Sequence, residues 1–227
     1  MKKIPIIFSW SGGKDSAYAL YQLNKSKKYQ VKYLFTTIFL PNKRVAMHGI
    51  PEHLITEQAK SIGLPLKKLY FNDKNKNDYE NKTKNFLLDI KNEGIETVAF
   101  GDIFLEDLRE YREQKLAEID MKAIFPLWNK QTNKLASTFI KSGFKTHICS
   151  IDNSKIPEHL IAQDFNSNFI KQLPKSVDPC GENGEFHSFC YDGPIFSYPV
   201  KFDINFPVQK SYEANGLKFE YTFSDIY

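Results

Sequence analysis

The chain has 227 residues, 41% hydrophobic and 26% charged, a composition that fits one large globular domain or a main domain with a small appendage. Its 31 basic and 27 acidic side chains leave a net charge of +4, spread over lysine-rich stretches such as Lys25-Ser26-Lys27-Lys28 rather than gathered on the dense basic face of a dedicated nucleic-acid binder. The apolar run Ile4 to Phe8 is too short for a secretion signal, and no segment approaches the ~20 apolar residues of a membrane span, so a cytoplasmic protein with no membrane attachment is expected.

In chain order, Ile4 to Phe8 reads as a first strand, Asp15 to Asn24 as a helix with Ala17, Leu20, Tyr21 and Leu23 on one face, and Val31 to Phe39 as a second strand. Pro51 opens a helix striped by Leu54, Ile55, Gln58, Ala59 and Ile62 that Gly63 closes, followed by a strand from Leu66 to Phe71. After the polar loop Asn72 to Asn77, Tyr79 to Ile90 marks a helix ending at Gly94. Thr97 to Phe100 is a short buried strand, Glu106 to Ile119 a helix, Met121 to Phe125 extended, Leu135 to Ile140 helical, and Phe144 to Ser150 the last strand of the series. Strands alternating with helices imply right-handed crossovers and a doubly wound parallel sheet, covered by helices on both faces. Beyond residue 150 the pattern changes to a small α+β appendage over 151–227: a helix from Pro157 to Gln172, strands at His187 to Tyr191 and Val200 to Phe206, and a hairpin around Asn215-Gly216.

The densest chemistry follows the first strand, at Ser11-Gly12-Gly13-Lys14-Asp15-Ser16. A strand, a glycine turn and a helix start aim unpaired backbone N–H groups at one point, where the helix dipole adds partial positive charge and a phosphate is welcome. Gly12 and Gly13 let the backbone approach an anion, Lys14 adds charge, and Ser11 and Ser16 add hydroxyls. Asp15 would repel phosphate unless it caps the helix or holds a Mg²⁺ water, which hints at metal-bound nucleotide. The spacing is neither Walker A nor GxGxxG. It resembles instead the PP-loop of ATP pyrophosphatases, of HUP-like fold, enzymes that split ATP between its α and β phosphates and activate a substrate as an adenylate. Gly101 and Asp102, at a later strand end, are expected to face the same cleft, although Asp102 reads equally well as a cap for the helix near Glu106. His48 is either structural or placed near the adenine or acceptor.

A second cluster, Asp178-Pro179-Cys180-Gly181-Glu182-Asn183-Gly184-Glu185-Phe186-His187, gathers carboxylates, a thiol and an imidazole on a Gly- and Pro-rich loop. Glu182 and Glu185 are either solvated or functional, and His187 either a general base or turned away by strand alternation. The cluster is similar to the Glu-Gly-Gly-Glu-aromatic segment of the diphthine–ammonia ligase family, a PP-loop branch. Further likeness runs through Met47-His48-Gly49-Ile50, Gln58 to Leu66, Gly101-Asp102-Ile103, Arg112, Pro126-Leu127-Trp128 and Tyr191-Asp192-Gly193-Pro194, nearly the whole chain.

The resemblance implies a ligase using ATP and Mg²⁺. A carboxylate on diphthine, a modified histidine of a translation elongation factor, is adenylated, and ammonia displaces AMP to leave an amide. It implies nucleotide binding by Ser11, Gly12, Gly13, Lys14, Asp15, Ser16, His48, Gly101 and Asp102, and catalysis by Lys14, Glu182, Glu185 and His187, with no residue assigned as a direct metal ligand. Asn183 and His187 depart from the family pattern, which has glycine and commonly an acidic residue there, so the acceptor pocket is open to another substrate. Cys180 keeps a tRNA-thiolating PP-loop enzyme as an alternative, against which stand the lack of a paired catalytic thiol and of a basic face; a non-catalytic adenine-nucleotide binder is the third reading. Cys149, Cys180 and Cys190 suggest neither a disulfide framework nor a CxxC metal site. The 19 Phe and 12 Tyr are expected to fill the core first, and could also cover a homodimer interface.

Overall fold

The computed structural model describes residues 2–46, 48–72, 76–214 and 217–227. Its larger sheet is built from β1 (Ile4–Ser9), β2 (Tyr29–Phe39), β3 (Arg44–Val45), β4 (Leu66–Phe71), β5 (Thr97–Ala99) and β6 (Lys122–Ile124). β1 lies in the middle, with β2 on one side and β5 then β6 on the other; β4 adds to β2, and all of these pairs are parallel. Only β3 is antiparallel, pairing with the end of β2 at Ile38 and Phe39 where β1 has already finished.

Helices α1 (Lys14–Lys25), α2 (Glu52–Ile62), α3 (Lys76–Asn92) and α4 (Glu106–Ala117) make the crossovers. Strand alternation divides their packing. Ile6, Phe8, Leu34 and Ile38 turn to one face with Ala17 and Leu20 of α1 and Leu54, Ile55 and Ala59 of α2. Ile7, Phe35 and Val98 turn to the other with Leu87 and Ile90 of α3 and Leu116 of α4. The expected doubly wound architecture is therefore present. No helix among the described residues is long and apolar enough to cross a membrane.

After α5 (Thr132–Lys141) come β7 (Lys145–Asp152), α6 (Ser167–Gln172), β8 (Phe186–Asp192), β9 (Val208–Ala214) and β10 (Leu217–Phe223). The four strands form a second, antiparallel sheet in the order β8-β7-β10-β9. This corrects the reading of Phe144 to Ser150 as the last parallel strand: β7 leaves the first sheet and opens the second, ahead of residue 150. A strand buried along nearly its whole length has the same residue pattern in either kind of sheet, and only its partners decide.

Two other expectations change. The helix expected from Pro157 to Gln172 is a short 3-10 turn at Glu158–Leu160 and the six-residue α6, separated by Ala162 at φ +62°. Between them the backbone bonds to β7 instead, with Ile148 N–H donating to Gln163 O and Phe165 N–H to Thr146 O, and Asn166 then caps α6 by accepting from the N–H groups of Asn168 and Phe169. Val200 to Phe206 is not a ladder strand; it makes an isolated bridge between Ile204 and Ile226, and the strand begins only at Val208. The turn expected at Asn215-Gly216 lies outside the described residues, and β9 and β10 pair on either side of it.

Candidate active site

The turn after β1 is fixed from behind. Gly12, at φ +82°, has no room for a side chain: an added Cβ would stand 2.7 Å from Ile55 Cδ1 and 2.8 Å from Gln58 Oε1. Its carbonyl accepts from Cys190 N–H of β8 at 2.8 Å and from Gln58 Nε2 at 2.9 Å. The fully buried Gln58 also donates to Cys190 O at 2.6 Å and accepts from the Trp10 indole at 2.9 Å. Lys14 N–H donates to Ser188 Oγ at 3.2 Å, so a C-terminal strand is part of the turn's frame. On the front, Ser11 Oγ accepts from Gly13 N–H at 3.3 Å and donates to Ser16 Oγ at 3.1 Å, and the Ser16 hydroxyl also bonds the Gly13 carbonyl. The N–H groups of Asp15 and Ser16, in the first turn of α1, have no partner among the described residues. Helix α1 starts at an N-cap of Gly13 with no side-chain cap, so Asp15 is not the cap.

Lys14 turns away from the front of the loop. Its Nζ donates to the Cys180 carbonyl, pairs with Asp15 at 2.7 Å and lies over the rings of Phe186 and Phe165 at 5.0 and 5.6 Å. Burial opposes its charge, but the Asp15 carboxylate carries its pKa above the ordinary lysine value, so Lys14 remains a cation. Asp15 is itself pushed up, by burial first, with Asp178 and Asp102 adding to it.

The second cluster closes on this corner. Glu182 accepts from Ile103 N–H at 2.6 Å, which ties the loop to the segment that follows β5, and burial together with Asp15 pushes its pKa up to about 7. Glu185, 2% exposed, turns into its own loop, accepting from Asp178 N–H and Asn183 Nδ2, both at 3.1 Å, while its Oε2 is buried with no hydrogen-bond partner among the described residues. His187 lies against His48 with the rings tilted by 49° and their centroids 4.5 Å apart, and His48 reaches Gly13, whose added Cβ would lie 3.4 Å from its ring. Burial keeps both imidazoles neutral, His187 at about 4 and His48 well below its usual range.

Gly101 packs on the start of α1, where a Cβ would come within 3.1 Å of Ser16 N. Asp102 is therefore beside the loop, and the cap reading fails: α4 begins after Leu105 without a side-chain cap, while Asp102 pairs with Arg112 Nε at 2.9 Å and the Arg112 guanidinium lies over Phe100. In front of Ser11 and His48 opens a cavity of about 470 Å³ between α3, α4 and the ends of β1 and β2, lined also by Thr36, Tyr79, Tyr111 and Arg112. That volume is in the range of small-molecule sites. Thr36 Oγ1 is buried there without a hydrogen-bond partner among the described residues. Of the expected site residues only Ser11 and His48 line the cavity; Gly12, Gly13, Lys14, Asp15, Ser16, Gly101, Asp102, Glu182, Glu185 and His187 form its neighbouring corner.

Residues 2–123 match the family model described as diphthamide synthase N-terminal domain, and residues 131–218 match diphthamide synthase C-terminal domain. The chain belongs to the diphthamide synthase family. Members of this family are enzymes of the ATP pyrophosphatase and ligase kind. The first diphthamide synthase match ends within β6 and the second begins just before α5, so the first supplies the turn, His48, Gly101 and Asp102, and the second supplies Glu182, Glu185 and His187. No curated protein matches the chain. Among solved structures, a predicted subunit of tRNA methyltransferase from Methanocaldococcus jannaschii is similar, with 17% identity and a TM-score of 0.44 over 74% of this chain and 86% of its own. Sequence reasoning missed Gln58, Ser188 and Thr36. Only Gln58 carried a signal, an amide inside an otherwise apolar stripe.

Proposed function

We propose that this diphthamide synthase family member is an ATP-dependent amide ligase. A carboxylate oxygen of the acceptor attacks the α-phosphorus of ATP and pyrophosphate leaves; ammonia then attacks the acyl carbon, AMP is expelled, and the surplus proton passes to a base. The observation that carries the reading is that the Ser11–Ser16 turn meets the 470 Å³ cavity at the strand ends through Ser11, where an open sheet of this kind takes its ligand. The unpartnered N–H groups of Asp15 and Ser16, with Gly13 N–H and Ser11 Oγ, suit phosphate oxygens, and Thr36 Oγ1 suits a polar edge of the nucleoside. Lys14 adds positive charge behind the turn. Gly101 lets α1 approach, and Asp102 holds Arg112 at the cavity wall.

Mg²⁺ would arrive on the nucleotide and offset charge on the departing pyrophosphate. Asp15 and Asp102 offer oxygens beside the turn, whereas among the described residues no three His, Cys, Asp or Glu side chains converge as a metal set. Glu182, half-ionised near neutrality, suits the base that takes a proton from the attacking nitrogen. Glu185 shapes the acceptor loop, and the neutral His48–His187 pair offers ring nitrogens to the acceptor. By the family's chemistry that acceptor is diphthine on an elongation factor, with Asn183 and His187 as the residues through which this chain would differ.

The thiols weigh against tRNA thiolation. Burial pushes Cys180 far above its ordinary range and Cys149 and Cys190 up to about 12, so none is a ready thiolate. The test is incubation with ATP, Mg²⁺, ammonia and an elongation factor bearing the modified histidine. AMP and pyrophosphate formed in step with a new amide support the ligase; ADP, or no turnover with any carboxylate acceptor, overturns it.

A further inference from the structure

The geometry points to Gln58 as a positioning residue that aims the phosphate-binding peptide and couples it to the acceptor strand, an inference that rests on the ligase reading. In a trans peptide the C=O and the following N–H point in opposite directions. The Gly12 carbonyl is held at the rear by Gln58 Nε2 at 2.9 Å and Cys190 N–H at 2.8 Å, so Gly13 N–H must face forward, where it meets Ser11 Oγ at the cavity wall. Gly12 and Gly13 have the freedom to turn this peptide over, and the rear bonds remove it.

Gln58 has no spare donor. Both amide protons are used, one on Gly12 O and one on Cys190 O at 2.6 Å, and Trp10 Nε1, donating at 2.9 Å, fixes which end of the amide faces the turn. Because one NH₂ group grips the turn and β8 together, displacement of either strains the other. β8 also carries His187, and Ser188 of the same strand receives Lys14 N–H. Phosphate on the turn and order in the acceptor strand therefore rise and fall together.

The experiment measures pyrophosphate and adenosine binding by calorimetry for the parent, Gln58→Leu and Trp10→Phe, with hydrogen exchange at Cys190 N–H. Loss of the aiming bond should weaken pyrophosphate roughly tenfold in Gln58→Leu and less in Trp10→Phe, with adenosine affinity held, and pyrophosphate should protect Cys190 N–H in the parent but not in Gln58→Leu. A packing role would weaken both ligands alike and leave the protection intact. That result, or pyrophosphate binding unchanged in both variants, overturns the inference. Should Gln58→Leu not fold, the pyrophosphate-to-adenosine ratio in Trp10→Phe decides alone. A parent that binds neither probe overturns the ligase reading, and this inference with it.

Discussion

Glu182 shares a corner with Asp15 and Asp102, and burial first, with these like charges adding to it, keeps its proton on until about pH 7. The consequence for stability has a definite sign. Its folded pKa lies above the ordinary 4.5, so its contribution is complete below that value and is lost as pH rises through about 7. Glu182→Gln, which keeps an oxygen for Ile103 N–H, should raise the melting temperature by about a few degrees at pH 8 and change it little at pH 4. The same substitution should remove the ascending limb near pH 7 from amide formation measured at fixed free ammonia. If that limb persists, the proton acceptor is another group. His187 and His48 are poor substitutes, since both stay neutral far below that pH.

Among the elements, the start of α1 is where packing and chemistry meet, and two glycines of other segments, Gly101 after β5 and Gly94 after α3, separate the two. At Gly101 an added methyl would press on backbone, 3.1 Å from Ser16 N and 3.2 Å from Asp15 C, and neither can yield without moving the helix start. Gly101→Ala should lower AMP formation by roughly tenfold or more while the melting temperature falls only about a few degrees. Gly94→Ala is the control: at φ +83° with nothing within 4 Å, it should cost about 1 kcal/mol of stability and leave turnover alone. Equal activity loss in both would deny Gly101 its special place. Apart from the two-residue β3, which is too short to carry a period, the elements as far as β6 were legible because Ile6–Phe8, Leu54–Ala59 and their neighbours carry unambiguous periods, and the turn was legible because Ser11 to Ser16 are contiguous. β7 was misassigned because burial on both faces erases the difference between sheet types. The single helix expected over Pro157–Gln172 does not form because β7 captures N–H groups a helix would have used, which no local pattern records. Ser188 was illegible as a site residue, and Gln58 stood out only as an amide in an apolar stripe, for a related reason: each meets the turn from a distant segment of the chain.

At the scale of the whole molecule, one continuous apolar cluster joins Ile6, Phe8 and Ala17 of the first sheet layer to Ile148, Phe186 and Phe189 of the second, so the two sheets should unfold together. The buried His147 and the half-buried His48 and His187 then act on the entire structure. His147, 2% exposed on β7, bonds through Nε2 to Ser224 Oγ at 2.8 Å and lies against Phe202, and burial pulls its pKa down to about 4 despite the nearby carboxylate of Asp164. Here the sign is the reverse of that for Glu182. The unfolded chain takes up a proton near the ordinary 6.5 while the folded one refuses it until about 4, so stability is complete above 6.5 and is lost as pH falls across that interval. His187 and His48 act in the same direction, with Lys14 the cation facing both, and each can add up to about 1.4 kcal/mol per pH unit within the interval. Urea unfolding from pH 7 to 4 should therefore show stability falling with a slope shared among these histidines. His147→Gln, which keeps a hydrogen-bonding group near Ser224, should flatten that slope without moving the pH 7 value by more than about 1 kcal/mol. Identical slopes in parent and variant would mean that His147 is protonated in the folded state at no cost, and the dry environment between β7, Phe202 and Ser224 would have to be redrawn.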